Sequence, residues 1–288
     1  MSNVVLFTII TLSTIGAASA VILFFVAQKF KVFEDPRIDQ VESVLPLANC
    51  GGCGFAGCRN FAETLVKSES FDGLFCPVGG NETMKNIASI LGRQAVEQEA
   101  RVAVIRCNGI PLNRPRTNHY DGVQTCTITH SLYIGESGCP FGCLGYGECV
   151  SVCDFNAITM NPVTMFPEVI DEKCTACGAC VKVCPRKIIE LRKKNPKDRK
   201  IFVSCINTEK GAVARKNCTV ACIGCGKCVK ICPWEAITLE NNLAYIDPVK
   251  CRLCRKCIVE CPTNSILETG FPARKEKAAE AATEGTTT

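Results

Sequence analysis

The chain begins with a long apolar stretch that is followed by basic residues. Val4–Val26 contains no charged residue, and a helix of that length spans about 34 Å, which is enough to cross the hydrocarbon core of a bilayer. Lys29, Lys31 and Arg37 follow the stretch, whereas no basic residue precedes it. Because basic residues favour the cytoplasmic side, the pattern predicts a single-pass anchor over residues 1–27, with the N-terminus outside and the rest of the chain in the cytoplasm.

The alternative interpretation of this stretch is a cleaved signal peptide. Ala18-Ser19-Ala20 resembles a cleavage site. The residues before the apolar stretch carry no basic side chain, however, and the stretch continues well past Ala20, which is unlike a signal peptide. The sequence therefore predicts an uncleaved anchor in the cytoplasmic membrane.

After the anchor the pattern becomes mixed and then rich in cysteine. Polar and apolar residues up to about Val44 predict a short helical connector, and a further helix is predicted over Asn60–Lys67. Four cysteines in this region follow a C-x2-C-x4-C spacing with a distant fourth member, and they are Cys50, Cys53, Cys58 and Cys76. Glycines between them let the backbone turn tightly and direct N–H groups at sulfur. Residues 28–92 are therefore predicted to form a small domain around one [4Fe–4S] cluster.

Three later strings share the spacing C-x2-C-x2-C-x3-C followed by proline. They are Cys174, Cys177, Cys180 and Cys184; Cys222, Cys225, Cys228 and Cys232; and Cys251, Cys254, Cys257 and Cys261. In bacterial ferredoxins this spacing gives three neighbouring thiolates to one [4Fe–4S] cluster and the fourth to a second cluster. The predicted fold class is α+β, with one N-terminal transmembrane helix, a small [4Fe–4S] domain and two tandem bacterial-ferredoxin-like units that each bind two clusters.

The cysteines also repeat along the chain. An offset of 79 residues carries five of them onto five others, namely Cys126, Cys139, Cys143, Cys149 and Cys153 onto Cys205, Cys218, Cys222, Cys228 and Cys232. An offset of 77 residues carries Cys174, Cys177, Cys180 and Cys184 onto Cys251, Cys254, Cys257 and Cys261. Such periodicity indicates duplicated units. It predicts a connector over 93–135, units at 136–195 and 196–270, and a disordered tail at 271–288.

One ligand position differs between the two copies. Position 225 is a cysteine, whereas its counterpart in the first copy is Tyr146. We expect Cys139, the nearest cysteine without a position of its own, to supply the missing ligand. With the small domain, this predicts five clusters, and the ligand sets of the other four are Cys139, Cys143, Cys149 and Cys184; Cys153, Cys174, Cys177 and Cys180; Cys222, Cys225, Cys228 and Cys261; and Cys232, Cys251, Cys254 and Cys257.

Four cysteines remain outside these sets, and they are Cys107, Cys126, Cys205 and Cys218. One interpretation is that they are buried structural thiols, since free cysteine behaves as a small apolar residue. The other is that they bind a sixth cluster, because the 24 cysteines of the chain divide evenly into sets of four. We favour five clusters from the sequence.

The composition argues against several other classes of protein. Cysteines this close together suit a cluster better than separate disulfides, and the chain has only two histidines, His119 and His130, to complete zinc sites. The formal net charge is +5, but an oxidised cluster with four thiolates carries about −2, so five clusters bring the loaded protein to about −5. The basic composition is therefore no argument for a nucleic-acid partner, and none is predicted.

The order of these features resembles a known family. An outside-facing N-terminal anchor precedes a glycine-rich cysteine motif and two ferredoxin-like units, and the motif reads Leu45-Pro46, then Ala48-Asn49-Cys50-Gly51-Gly52-Cys53-Gly54, then Gly57-Cys58. Over nearly its whole length the chain resembles the B subunits of Rnf electron-transport complexes. The motif alone is less specific, because it also resembles the cluster domain of corrinoid iron–sulfur proteins. The second ferredoxin-like unit departs from family members that have one.

This resemblance implies a subunit of a ferredoxin:NAD oxidoreductase complex that couples electron flow to the pumping of sodium ions or protons. It implies soluble ferredoxin as the electron donor, the other membrane and peripheral subunits as partners, and no catalytic residues for substrate chemistry on this chain. The charged segment Arg192–Lys200 between the copies is predicted to be a solvated linker or to steer an acidic ferredoxin. The alternatives are an iron–sulfur subunit of a corrinoid- or dehydrogenase-type complex, and a structural or regulatory iron–sulfur protein.

Overall fold

A computed structural model describes residues 2–29, 34–95 and 97–272 of the chain. The first element is helix α1 (Ser2–Lys29). Its segment Val5–Lys29 has a mean hydropathy of 2.3, and none of its most apolar window is buried against the rest of the protein. By length and composition α1 is able to cross a membrane, as the predicted anchor requires. The residues of the predicted disordered tail beyond 272 lie outside the described residues.

Three helices form a small domain after the anchor. They are α2 (Pro36–Val44), α3 (Cys58–Lys67) and α4 (Gly80–Leu91). Asp35 caps α2 by accepting a hydrogen bond from the Arg37 amide, and Pro36 occupies the first turn, where its missing N–H costs nothing. The apolar faces of the helices enclose a core that includes Val41, Phe61, Leu65, Met84 and Ile87. The predicted connector helix and the predicted helix at 60–67 correspond to α2 and α3.

The rest of the chain folds into two matching arrangements of short antiparallel strands. In the first, strand β1 (Arg101–Ile105) pairs with β4 (Ile189–Lys193), and β2 (Ile158–Asn161) forms a hairpin with β3 (Phe166–Val169). In the second, β5 (Lys200–Val203) pairs with β8 (Ile266–Thr269), and β6 (Ile237–Glu240) forms a hairpin with β7 (Leu243–Ile246). We call these the first repeat, 101–193, and the second repeat, 200–269. The first repeat thus takes a strand from the segment 93–135, which the sequence assigned to a connector.

Short helices carry the cysteines in each repeat. The first repeat contains α5 (Cys126–Leu132), α6 (Glu148–Ser151) and α7 (Ala179–Val183), and the second contains α8 (Gly211–Asn217), α9 (Lys227–Ile231) and α10 (Lys256–Val259). Helix α6 packs against α7, and α9 packs against α10. A 3-10 turn (Pro196–Asp198) joins the repeats. The mixture of helices and short strands agrees with the predicted α+β class.

The charged segment between the repeats is partly buried, contrary to a purely solvated linker. Arg192 is 2% exposed and donates hydrogen bonds from Nη1 to the Ile201 carbonyl at 3.1 Å and from Nη2 to the Ile246 carbonyl at 2.6 Å. Lys200 is also buried and pairs with Asp171. These side chains tie the first repeat to the second and fix how the cysteine loops of the two face each other.

Candidate metal centre

The second repeat brings its predicted ligands together in two small cavities. One cavity is lined by Cys222, Cys225, Cys228 and Cys261, and we call it the inner site of the second repeat. The other is lined by Cys232, Cys251, Cys254 and Cys257, and we call it the outer site of the second repeat. In both, the fourth cysteine of one string joins the first three of the other, which is the exchange that the ferredoxin spacing predicts.

The equivalent inner site of the first repeat contains an unexpected thiol. Its cavity is lined by Cys126, Cys143, Cys149 and Cys184. Three of these cysteines were predicted together, but the fourth corner is Cys126 rather than Cys139.

The position of Cys126 follows from local hydrogen bonding. The Cys126 sulfur accepts hydrogen bonds from the backbone amides of Tyr146 and Glu148. The Glu148 carboxylate in turn accepts from the Thr127 amide at 3.1 Å, at the start of α5. Helix α5 is therefore held with its first residue beside the loop where Tyr146 replaces a cysteine. The sequence offered one signal for this arrangement, a cysteine without a partner in an insertion that the second repeat lacks.

The outer site of the first repeat contains the predicted set Cys153, Cys174, Cys177 and Cys180. Burial, together with the neighbouring thiols of Cys174 and Cys177, raises the pKa of Cys180 to about 12, and Cys149 and Cys153 lie close enough to add to the effect. Backbone amides point at two of the sulfurs, from Ala157 to Cys153 at 3.3 Å and from Ala103 to Cys174 at 3.4 Å. The outer site thus adjoins the inner site through Cys180 and Cys149.

The small domain gathers a separate set, which we call the small-domain site and which consists of Cys50, Cys53, Cys58 and Cys76. Burial raises the pKa of Cys76, and the nearby Cys53 and Cys50 thiols raise it further, against the effect of backbone hydrogen bonds from Gly79 and Val78. The Cys58 amide donates to the Asn49 side chain at 2.8 Å, which ties the cysteine loop to the start of α3. These contacts agree with a self-contained set of four.

Four further cysteines meet where the two repeats face each other. Burial raises the pKa of Cys218, and the thiols of Cys107 and Cys139 lie close enough to raise it further. Burial also raises the pKa of Cys205 to about 12, with contributions from Cys107 and Cys222. We call Cys107, Cys139, Cys205 and Cys218 the bridging group. Two of its members come from each repeat.

The members of the bridging group occupy equivalent places in the two repeats. Cys107 follows β1 and accepts from the Gly109 amide at 3.4 Å, and Cys205 follows β5 and accepts from the Asn207 amide at 3.4 Å. Cys107 also accepts from the Cys143 amide at 3.5 Å, as Cys205 accepts from Cys222. The strands therefore match Cys107 with Cys205, whereas the sequence offset matched Cys126 with Cys205. Cys139, which the sequence placed in the inner site, lies in this group and receives the Asn207 side-chain amide at 3.6 Å.

The chemistry of these sets fits iron–sulfur clusters. Every described cysteine is a free thiol, and backbone N–H groups point at many of the sulfurs, as they do around an anionic cluster. In the described part of the chain no three residues of the types His, Cys, Asp and Glu lie close enough together to hold one metal ion. A cluster needs a wider arrangement, because each thiolate binds a different iron.

The protonation of the free thiols also bears on cluster binding. Burial raises the pKa of Cys149 to about 11 and that of Cys257 to about 12. Cys261 is different, since hydrogen bonds from Ser265 and Thr263 outweigh burial and lower its pKa. Because metal binds the thiolate, loading a buried set must release protons.

Comparisons with known proteins identify the same cluster domains. The family model of a 4Fe-4S dicluster domain matches residues 138–188 and 221–265, that of a 4Fe-4S double cluster binding domain matches 173–235, and that of a putative Fe-S cluster matches 45–73. These matches cover the small domain and both repeats.

Three relatives are similar over almost the whole chain. The chain is 43% identical to the B subunit of the Na(+)-translocating ferredoxin:NAD(+) oxidoreductase complex of Acetobacterium woodii, over 92% of this chain and 78% of the relative. It is 39% identical to the B subunit of the ion-translocating oxidoreductase complex of Methanosarcina acetivorans, over 92% of this chain and 99% of the relative. It is 37% identical to the B subunit of the proton-translocating ferredoxin:NAD(+) oxidoreductase complex of Clostridium ljungdahlii, over 92% of each.

Proposed function

Since the chain belongs to the family of B subunits of ion-translocating ferredoxin:NAD oxidoreductase complexes and is an iron–sulfur electron-transfer subunit, we propose that it accepts electrons from reduced ferredoxin and relays them through six [4Fe–4S] clusters. Six replaces the five that we expected from the sequence. The meeting of two thiols from each repeat in the bridging group carries this proposal. No observation favours the corrinoid- or dehydrogenase-type alternative.

All 24 cysteines are ligands in this proposal. Five sets hold one cluster each, at the small-domain site and at the inner and outer sites of the two repeats, and Cys126 completes the inner site of the first repeat. The sixth set is the bridging group. It joins the two repeats electronically, since its members lie directly beside both inner sites through Cys143 and Cys222.

The sites are arranged in one continuous order. The small-domain site meets the outer site of the first repeat where Gly52 packs against the Cys177 backbone. That outer site adjoins the inner site through Cys180 and Cys149, and the bridging group leads on to the second repeat. There the inner site adjoins the outer site through Cys228 and Cys257. When bound, each cluster supplies one-electron chemistry, while the chain positions it, excludes water and directs N–H groups at sulfur.

The position of the chain in the membrane supports the same function. Helix α1 anchors the protein, and the basic residues that follow it favour a cytoplasmic location for the small domain and both repeats. Soluble ferredoxin is then able to reach the clusters directly. The other subunits of the complex receive the electrons and supply the chemistry on NAD and the ion pathway.

Cluster content and ferredoxin reduction together test this proposal. The full-length protein, reconstituted without oxygen, is expected to contain about 24 iron and 24 sulfide per chain, whereas five clusters give about 20. Reduced ferredoxin is expected to reduce the clusters, as monitored by electron paramagnetic resonance. A content of five clusters contradicts the bridging cluster. Clusters that stay oxidised when ferredoxin is added contradict the relay.

A further inference from the structure

A buried arginine lies against the loop that connects the bridging group to the inner site of the first repeat. Arg186 is 8% exposed. Its Nη1 donates to the carbonyls of Cys139 at 3.2 Å and Gly142 at 2.7 Å, and its Nη2 donates to the Ile134 carbonyl. Its Nε has no hydrogen-bond acceptor among the described residues. The guanidinium is thus held by neutral carbonyl groups.

A second arginine approaches the same loop from another segment. Arg114 donates from Nη2 to the Cys143 carbonyl at 2.5 Å, and its Nε is also buried without an acceptor among the described residues. It packs so closely over Gly142 that a Cβ there would lie 1.8 Å from its Nη1. Arg114 and Arg186 are near enough for their like charges to interact.

Neither arginine has a carboxylate partner within 4.0 Å in the described part of the chain, where the nearby Glu136 pairs with Arg116 instead. A buried cation without an anion is strongly disfavoured. The groups that act on Arg186 with the opposite sign are the thiols of Cys139, Cys143 and Cys107. The compensating negative charge for these arginines is therefore the anionic thiolate environment of the bridging group and the inner site.

The second repeat has no such charge at the equivalent described position. The offset of 77 residues that carries Cys184 onto Cys261 carries Arg186 onto Thr263. Thr263 is neutral, and its hydroxyl lies near the Cys261 sulfur. Arg114 lies between Cys107 and Cys139, a stretch that is longer than the corresponding stretch between Cys205 and Cys218. The positive charge of these two arginines therefore acts from one side of the bridging group only.

We propose that Arg186 and Arg114 raise the reduction potential of the clusters held by the bridging group and by the inner site of the first repeat, so that electrons collect at this end of the relay. This inference rests on the proposed function. Reduction transfers one electron from reduced ferredoxin, which is oxidised by one electron, and adds one negative charge beside the arginines. A fixed cation in a water-poor environment stabilises that added charge more than it does in water.

Charge-removing variants of the full-length reconstituted protein test this proposal by potentiometric titration with electron paramagnetic resonance detection. Arg186→Gln is expected to lower the reduced-to-oxidised ratio of one or two clusters at least tenfold at a fixed solution potential, which is about 59 mV for one electron. Arg114→Gln is expected to shift the same clusters in the same direction. Arg186→Lys keeps the charge and is expected to stay close to the unmodified protein.

The matched control removes the same charge from a solvent-exposed position. Arg215 is exposed on α8, close in sequence to Cys218, and Arg215→Gln is expected to leave all potentials unchanged because water screens its charge. Iron and sulfide contents are measured for every variant. If Arg186→Gln does not retain its clusters, Arg114→Gln decides the question.

The outcomes separate this inference from the function on which it rests. Unchanged potentials in an arginine variant with full cluster content overturn the tuning by arginine and leave the relay intact. A shift of equal size in Arg215→Gln also overturns it. A content of five clusters in the unmodified protein removes the bridging cluster, while the effect of the arginines on the inner site is still measured.

Discussion

At the scale of single residues, the two copies of the ferredoxin-like arrangement differ at Tyr146. The structure places Cys126 at that corner, with hydrogen bonds from the Tyr146 and Glu148 amides to its sulfur. We predict that Cys126→Ser loses one cluster, which is about four iron per chain, because the hydroxyl is a poor ligand. Iron analysis and electron paramagnetic resonance of the anaerobically reconstituted protein measure the loss.

The second repeat suggests a rescue that identifies the cause. Position 225 carries a cysteine where the first repeat has Tyr146, so Tyr146→Cys combined with Cys126→Ser is expected to restore the full cluster content. Cys139→Ser serves as the comparison, since it affects the bridging group instead and Tyr146→Cys does not rescue it. A full cluster content in Cys126→Ser alone contradicts the assignment of Cys126.

At the scale of elements, the sequence predicted the cysteine sets better than the strands that position them. Local spacing defines which thiols share a loop, so four of the five predicted sets are brought together in the structure. The pairing of β1 with β4 joins segments far apart in the chain, and a short apolar run such as Arg101–Ile105 does not specify its partner. Only that pairing shows that Cys107, and not Cys126, corresponds to Cys205. An equal offset in sequence concealed an insertion.

The strands also carry the side chain that holds the repeats together. Arg192 on β4 reaches the carbonyls of Ile201 and Ile246 in the second repeat and pairs with Glu190. We predict that Arg192→Ala destabilises the protein by about 3–5 kcal/mol, because it leaves buried acceptors and a partly buried carboxylate without their partner. The temperature at which cluster absorbance disappears on heating measures the effect.

The control for this variant is an arginine on the neighbouring strand. Arg101 on β1 is exposed, and Arg101→Ala is expected to change the stability by about 0.5 kcal/mol or less. If the two variants lose their clusters at the same temperature, Arg192 does not join the repeats. Loss of the bridging cluster alone in Arg192→Ala indicates that the repeats separate before either one unfolds.

At the scale of the whole molecule, the order of the sites depends on how the small domain meets the first repeat. Gly52 lies in the cysteine loop of the small-domain site, and a Cβ at that position would lie 2.9 Å from the Cys177 carbonyl oxygen, 3.0 Å from Cγ of Pro77 and 3.1 Å from Cα of Cys177. Two of these contacts are with backbone, which does not move aside easily. Glycine at this position therefore brings two cluster loops into direct contact.

This contact predicts that Gly52→Val separates the small-domain site from the other sites without removing its cluster. Electron transfer slows steeply as the distance between the redox centres increases, so the small-domain cluster is expected to exchange electrons with the others at least tenfold more slowly, by order of magnitude from a lost van der Waals contact. Freeze-quench electron paramagnetic resonance after addition of reduced ferredoxin measures the delay. Gly54→Asn is the control, because Gly54 has a φ of +90° and no neighbour within 4 Å of an added Cβ, and asparagine tolerates positive φ better than most residues. Equal rates in Gly52→Val and Gly54→Asn, with full iron in both, mean that electrons do not pass through this contact.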